Sequence, residues 1–253
     1  MTLEIVTVPC LSDNYAYIAR DSETGATAVV DAPEADPIAS ALDSRGWKLD
    51  KILITHHHFD HVGGVESLRR HHGAKVVGAA ADAARLPPLD EAVSEGDSVA
   101  VGGAHGTVID VSGHTVGHIA YVFPGAAFTA DSLMSLGCGR IFEGTAEMMW
   151  GSLSKLASLP PETRIYSGHE YAASNARFAL TIEPENEELK RREAEISGLR
   201  AKNLPTVPTT LSLEFETNPF LRASLESVKS AIGMPGAADA AAFAEIRRRK
   251  DSF

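Results

Sequence analysis

The run Thr55-His56-His57-His58-Phe59-Asp60-His61 constrains this chain more than any other stretch. It places four imidazoles and a carboxylate within six residues, directly after the apolar, strand-like run Lys51-Ile52-Leu53-Ile54. Side chains of an extended chain alternate with period two, so His56 and His58 share a face and His57 points away from it. Asp60 and His61 are expected in the turn that follows, where Gly63-Gly64 lets the backbone bend. Two ligand groups so closely spaced can serve two neighbouring metal ions rather than one. A tag remnant would be terminal and uniform, whereas this run is internal, mixed with Asp and framed by a strand and a Gly-Gly turn. His57 is read as a packing or supporting residue.

The other ligands are sought at strand ends, because a metal site needs donors from several elements held rigidly. His114 lies in the Gly-containing turn Ser112-Gly113-His114 after the apolar run 107–111. Asp131 ends the run Thr129-Ala130-Asp131, and His169 follows Ser167-Gly168 after the run 164–166. Singly each is a weak signal, since an Asp at a strand end is commonly a turn or cap residue. With the first cluster they supply five His and two Asp, enough for two metals with an open coordination position.

Period-two runs predict strands over 3–8, 15–19, 28–31, 51–55, 75–78, 107–111, 119–123, 127–129 and 164–166, with a hairpin turn at Ser22-Glu23-Thr24-Gly25. Helices are expected over 35–45, 64–72 and 147–158. The implied fold is α/β, two sheets covered outside by helices. After about residue 170 the pattern turns helical, with segments 172–180, 185–202, 219–232 and 238–250 read as helices and Pro205 and Pro208 interrupting. The expected division is 1–170 for a metal-binding sandwich and 171–253 for a helical appendage.

Composition narrows the class. At 253 residues, 44% hydrophobic and 23% charged, the chain is an ordinary globular sequence with no apolar run approaching the roughly 20 residues of a membrane span. The start, Met1-Thr2-Leu3-Glu4, lacks a secretory pattern, and Cys10 and Cys138 have no CxxC spacing, so a cytoplasmic location is the expectation. A net charge of −11 argues against nucleic-acid binding, and nothing demands more than a monomer. His71, His72 and His105 read as surface or capping residues, and His118 as support for the ligands.

Thr55-His56-His57-His58-Phe59-Asp60-His61 resembles the metal-binding signature of the metallo-β-lactamase superfamily. Within it the chain resembles the glyoxalase II, or hydroxyacylglutathione hydrolase, family nearly end to end. The likeness is carried by Leu11-Ser12-Asp13-Asn14-Tyr15, Phe128-Thr129-Ala130-Asp131-Ser132-Leu133, Gly137-Cys138-Gly139-Arg140, Phe142-Glu143-Gly144-Thr145, Gly168-His169-Glu170-Tyr171, Asn218-Pro219-Phe220-Leu221-Arg222 and Lys250-Asp251-Ser252-Phe253.

The resemblance implies an αββα sandwich with a C-terminal helical, glutathione-binding domain. It assigns His56, His58 and His114 to one divalent metal and Asp60, His61 and His169 to a second. Asp131 bridges both, so Asp60 and Asp131 act catalytically with a metal-bridging hydroxide. Zinc is the first expectation, and His/Asp ligation also accepts iron or manganese. The implied reaction is hydrolysis of a small-molecule thioester, S-D-lactoylglutathione, to glutathione and D-lactate, the second step of methylglyoxal detoxification. Arg140, Tyr171, Arg247 and Lys250 are placed around the tripeptide, the cations for its glycine carboxylate. Phe142 stands where several members carry Tyr, so a phenolic hydroxyl is lost there while a ring is kept. The competing reading is a glutathione persulfide dioxygenase of the same superfamily, which would use one iron and oxygen. A nuclease would need a basic RNA-facing arm that this acidic chain lacks.

Overall fold

The structure is a computed structural model that describes residues 3–253; Met1 and Thr2, the first residues of the expected leaderless start, lie outside them. The first sheet runs in the order β1 (Leu3–Cys10), β2 (Asn14–Asp21), β3 (Thr27–Val30), β4 (Lys51–Leu53), β5 (Lys75–Ala79), β6 (Glu91–Val93). The first three strands pair antiparallel and the rest parallel. β3 reads Thr-Ala-Val-Val and is buried along its length, the continuous apolar pattern of a strand covered on both faces.

The second sheet comprises β7 (Ser98–Val101), β8 (Ala104–Asp110), β9 (Ile119–Phe123), β10 (Ala126–Ala130), β13 (Arg164–Ser167) and β14 (Thr209–Thr210), with β10 and β13 parallel. A two-stranded hairpin, β11 (Leu133–Met134) with β12 (Gly137–Cys138), stands apart from both sheets.

Three apolar clusters hold the layers together. Tyr17, Leu53, Val77, Tyr121, Phe128 and Tyr166 fill the space between the sheets. On the outer face of the first sheet, Ile38 and Leu42 of α1 (Ala35–Asp43) and Leu68 of α3 (Val65–His72) cover Ile18, Ile52 and Val76. On the outer face of the second, Met149, Leu153 and Leu156 of α4 (Ala146–Ala157) join Phe178, Phe220, Phe243 and Ile246. These last come from α5 (Ala172–Ile182), the turn after α7 (Leu211–Thr217), and α9 (Asp239–Asp251); α6 (Glu187–Arg200) and α8 (Glu226–Ala231) lie in the same C-terminal half. Burial of these aliphatic and aromatic side chains, each worth about 1.5–3 kcal/mol, sets the αββα order. Among the described residues no helix is long and apolar enough to cross a membrane.

Three expectations need correction. The helix expected over 219–232 exists only as α8, and α7 precedes it unread. Between them the Asn218 side chain accepts from the Phe220 N–H at 3.0 Å, a cap-like bond, but residues 219–225 run on as turns and bends. The strands β6, β7 and β14 were not expected, being short and part-exposed edge segments. β14 lies in the helical half, yet it closes the second sheet against β13. Asp60 and His61 sit not in an open turn but in α2 (Phe59–Val62), one helical turn that aims both at one point.

Candidate metal centre

The strand ends that follow β3, β4, β8, β10 and β13 meet at one edge of the sandwich, and all seven sequence-nominated donors come together there. His56 Nε2 and His114 Nε2 lie 3.2 and 3.1 Å from His58 Nδ1. Nitrogen ligands about 2.0–2.1 Å from a tetrahedral metal stand roughly 3.3 Å apart, so this spacing fits three donors converging on one ion. A second group, Asp60, His61 and His169, has its donor atoms mutually within 4.8 Å. His169 Nε2 is 3.4 Å and His61 Nε2 3.8 Å from Asp60 Oδ2. Asp131 lies between the groups: its Oδ2 is 3.4 Å from His114 Nε2 and 3.3 Å from His169 Nε2.

Two buried atoms of this cluster test whether it suits a cation. His61 Nε2 and Asp131 Oδ1 face each other at 3.6 Å, and neither has a hydrogen-bond partner among the described residues. Leaving such groups unmet costs roughly 1–3 kcal/mol each, and a shared cation satisfies both. The donor set therefore fits two divalent ions.

Four of the five rings are also oriented from behind. His56 Nδ1 meets Thr55 Oγ1 at 3.0 Å, His61 Nδ1 meets Asp31 at 2.8 Å, His114 Nδ1 meets the Arg140 carbonyl at 2.7 Å and His169 Nδ1 meets Asp13 at 2.9 Å. Each contact fixes a tautomer that leaves Nε2 free for a metal. Asn14 Nδ2 donates to Asp60 Oδ2 at 3.1 Å. Asp13, Asn14, Asp31 and Thr55 were given no role from the sequence; the signal for Asp31 was an acid ending the fully apolar run of β3. His57 points away from the donors, as expected, onto Asp82 at 2.8 Å. His118 stacks on His56 with centroids 4.6 Å apart and accepts from the Asp131 N–H at 3.3 Å.

Electrostatics separate the two groups. Burial holds His56, His58 and His114 below the ordinary imidazole value, aided at His56 and His58 by neighbouring imidazoles, so these three are neutral donors. Burial also opposes charge on His61 and His169, but the carboxylates around them win: Asp131 and Asp31 raise His61, and Asp131, Asp13 and Asp60 raise His169 to about 9. Asp131 itself, despite burial, is held far below the usual carboxylate range by His61, His169 and His114. The carboxylates of the second group thus favour positive charge there, as a cation site requires. Two glycines allow the closeness. A Cβ on Gly168 would meet the Asp131 carboxylate and come within 2.7 Å of His61 Cε1, and one on Gly139 would strike the Asp131 carbonyl.

The donors open into a cavity of about 1060 Å³ whose far wall is helical, formed by Tyr171, Ser174, Arg177, Arg247 and Lys250. This is at the upper end of the roughly 300–1,000 Å³ of small-molecule sites. Tyr171 stacks on His169 at 4.7 Å, and the Phe142 ring stands edge-on to His58 and His114 at 5.8 and 5.2 Å. Arg247 is nearly buried, donating to the Cys138 carbonyl at 3.0 Å and paired with Asp251 at 2.8 Å. Lys250 rests on Ser174 at 3.3 Å and over the rings of Phe178 and Phe253. Arg140 is exposed at the rim, 3.5 Å from Asp251.

Comparison with known proteins decides the family. Residues 12–169 match the family model described as metallo-beta-lactamase superfamily, and residues 170–253 the one described as hydroxyacylglutathione hydrolase C-terminus. The chain is 64% identical to a hydroxyacylglutathione hydrolase of Cereibacter sphaeroides and 63% identical to one of Ruegeria pomeroyi, over the whole of both chains in each case. The chain belongs to the hydroxyacylglutathione hydrolase family. Among solved structures it is similar to ETHE1 from Myxococcus xanthus, with TM-score 0.69 and 24% identity over 98% of this chain and 90% of that one, a likeness of fold. It is also similar to TTHA1623 solved in a di-iron-bound form, with TM-score 0.62 and 26% identity over 86% of this chain and all of that one. Hydroxyacylglutathione hydrolases are hydrolases of the metallo-β-lactamase superfamily, and this member has the sandwich-plus-helices architecture of that fold.

Proposed function

We propose that the protein hydrolyses S-(2-hydroxyacyl)glutathione thioesters, S-D-lactoylglutathione among them, to glutathione and the free 2-hydroxy acid. The observation that carries this is the complete donor set opening into a cavity whose other wall is the helical segment matched to the hydroxyacylglutathione hydrolase C-terminus. His56, His58 and His114 would hold one ion, Asp60, His61 and His169 the other, and Asp131 both. Bound divalent ions supply a hydroxide nucleophile at neutral pH and Lewis-acid stabilisation of the carbonyl oxygen. Zinc suits the His-rich first group, and iron or manganese suits the same donors.

The chain's own residues bind and orient. Burial pushes the Tyr171 hydroxyl up to about 12, so it stays protonated and can donate beside His169. Arg140 and Lys250 offer cations to a substrate carboxylate, while Arg247, held by Asp251 and the Cys138 carbonyl, shapes the wall. Burial raises the Cys138 thiol to about 11, which excludes it as a nucleophile at neutral pH. The leaving thiol has an intrinsic pKa near ~8.5, so no dedicated general acid is required. Buried unpaired Cys10 and Cys138 and the charge of −11 support a monomeric enzyme of the cytoplasm with no nucleic-acid partner. The test is release of free thiol from S-D-lactoylglutathione by metal-replete protein. Absence of release, with oxygen consumption on glutathione persulfide instead, would install the dioxygenase reading.

Two pH effects follow. A ligand must be deprotonated to bind metal, so the proton that Asp131 holds on His169 competes with the second ion up to about pH 9. With His61 raised as well, affinity at that group is expected to rise at least tenfold per pH unit from pH 6 to about 8; a competition titration that finds it flat would refute the assignment. Lys250 behaves in the opposite direction. Burial, with Arg247 and Arg177 nearby, lowers it to about 8, so the cation is present below that value and lost above it. From pH 7 to 9 KM should climb by about tenfold with kcat little changed, and Lys250→Met should raise KM and flatten that climb.

A further inference from the structure

The segment joining Asp131 to Arg140 carries the β11–β12 hairpin, which pairs only with itself. Its backbone is forced: Leu136 has φ +58°, and Ala130, the residue that leads into it, φ +40°, the left-handed region that non-glycine residues rarely enter. Such conformations persist only where the surroundings over-determine them. Here the surroundings are polar side chains of the helical half. Asn218 Nδ2 donates to the Met134 and Gly137 carbonyls at 3.2 and 3.0 Å. Glu214 Oε2 accepts from the Leu136 N–H at 2.8 Å, Asn175 donates to the Ser135 carbonyl at 3.0 Å, and Arg192 donates to Ser135 Oγ at 2.9 Å. Arg192 is ion-paired with Glu214, and Glu214 also accepts from Asn218 at 2.9 Å.

Arg192 and Glu214 are 4% and 0% exposed. A buried ion pair is a poor source of net stability compared with apolar packing of the same volume, so stability alone is a weak reason for its presence. What this pair and Asn218 do is fix a short strained segment at five consecutive residues, 134–138, with Arg247 closing the last through the Cys138 carbonyl. At one end of that segment Asp131 stands between the donor groups. At the other the Arg140 carbonyl orients His114.

We propose that Arg192, Glu214 and Asn218 are positioning residues for the metal centre, locking residues 131–140 so that Asp131 and the Arg140 carbonyl are held in register with the histidines. The proposal rests on the metal-centre reading above. It makes the helical half a structural part of the metal site as well as a wall of the substrate cavity.

The test is Asn218→Ala, which removes the donor to two hairpin carbonyls without leaving a buried charge. Expected results are a 10–100-fold loss of affinity for the second zinc ion by competition titration and a kcat lowered at least tenfold, with KM within about threefold. Glu183→Gln is the control: Glu183 pairs with Arg222 at 2.7 Å in the same helical half and makes no hydrogen bond to residues 131–140, so it should lower Tm without moving zinc affinity or kcat. If Asn218→Ala lowers Tm alone, the residue is merely structural and the proposal is overturned. Hydrogen exchange on the wild-type chain covers the case in which the variant does not fold. Zinc loading should slow exchange in residues 211–218 as well as 131–139, and slowing confined to the immediate neighbours of the donors would overturn the coupling. Failure of the wild type to cleave the thioester would remove the substrate reading but leave the zinc and exchange results to decide this one.

Discussion

Asp131→Asn is expected to lower kcat by about four orders of magnitude and to leave the protein with one tightly held metal ion. The scale is that of residues that act only as a unit. The substitution keeps the shape of the side chain and removes its charge. One carboxylate oxygen contacts donors of both groups, His114 at 3.4 Å and His169 at 3.3 Å, and the other faces the unpartnered Nε2 of His61 at 3.6 Å. An amide must turn its NH2 toward one of these nitrogens, and a donor there cannot ligate a metal. Relaxation is blocked, because Gly168 lies against this carboxylate and Gly139 against the Asp131 backbone carbonyl so closely that not even a Cβ would fit. Metal content after dialysis, read beside steady-state thiol release, checks the prediction. Two retained equivalents with kcat within tenfold of wild type would mean that Asp131 does not link the ions.

Much of this centre was legible because its signal is local. His56, His58, Asp60 and His61 fall within six residues, and their order encodes their geometry: an extended stretch shares one face between His56 and His58, then a helical turn aims Asp60 and His61 together. His114, Asp131 and His169 were legible at the next level, as polar residues ending apolar runs. The supports were not. Asp13 reaches His169 across 156 residues and Asp31 reaches His61 across 30; Asp31 ends an apolar run as the donors do, but nothing local names the partner of either. The same distance problem hid α7 and β14. Asn218 reads locally as the cap of a helix beginning at Pro219, and its oxygen does accept from the Phe220 N–H, but its NH2 is held by the β11–β12 hairpin and the chain beyond runs as turns to Leu225. Edge strands such as β6 carry little apolar pattern because solvent covers part of them.

Asp31 is where that hidden layer should be felt most. It sits just past β3 with φ +53°, and its two oxygens take three donors: the Thr55 N–H at 2.9 Å, the Thr55 hydroxyl at 2.8 Å and His61 Nδ1 at 2.8 Å. The Thr55 hydroxyl, having donated to Asp31, is left to accept from His56 Nδ1, so one carboxylate sets the tautomer of a histidine in each donor group. Asp31→Asn breaks this in either orientation of the amide. With its NH2 toward His61, that ring must carry its proton on Nε2, the atom wanted by the metal. With its NH2 toward the Thr55 N–H, two buried donors oppose each other at a cost of about 1–3 kcal/mol. The expected outcome is a 10–100-fold weaker second ion and a lower Tm. Part of the activity should return in excess zinc, because the donors themselves remain. Zinc affinity and Tm unchanged from wild type would mean that the tautomers are fixed by something other than Asp31. Activity that excess zinc cannot restore at all would place Asp31 in the chemistry and not behind it.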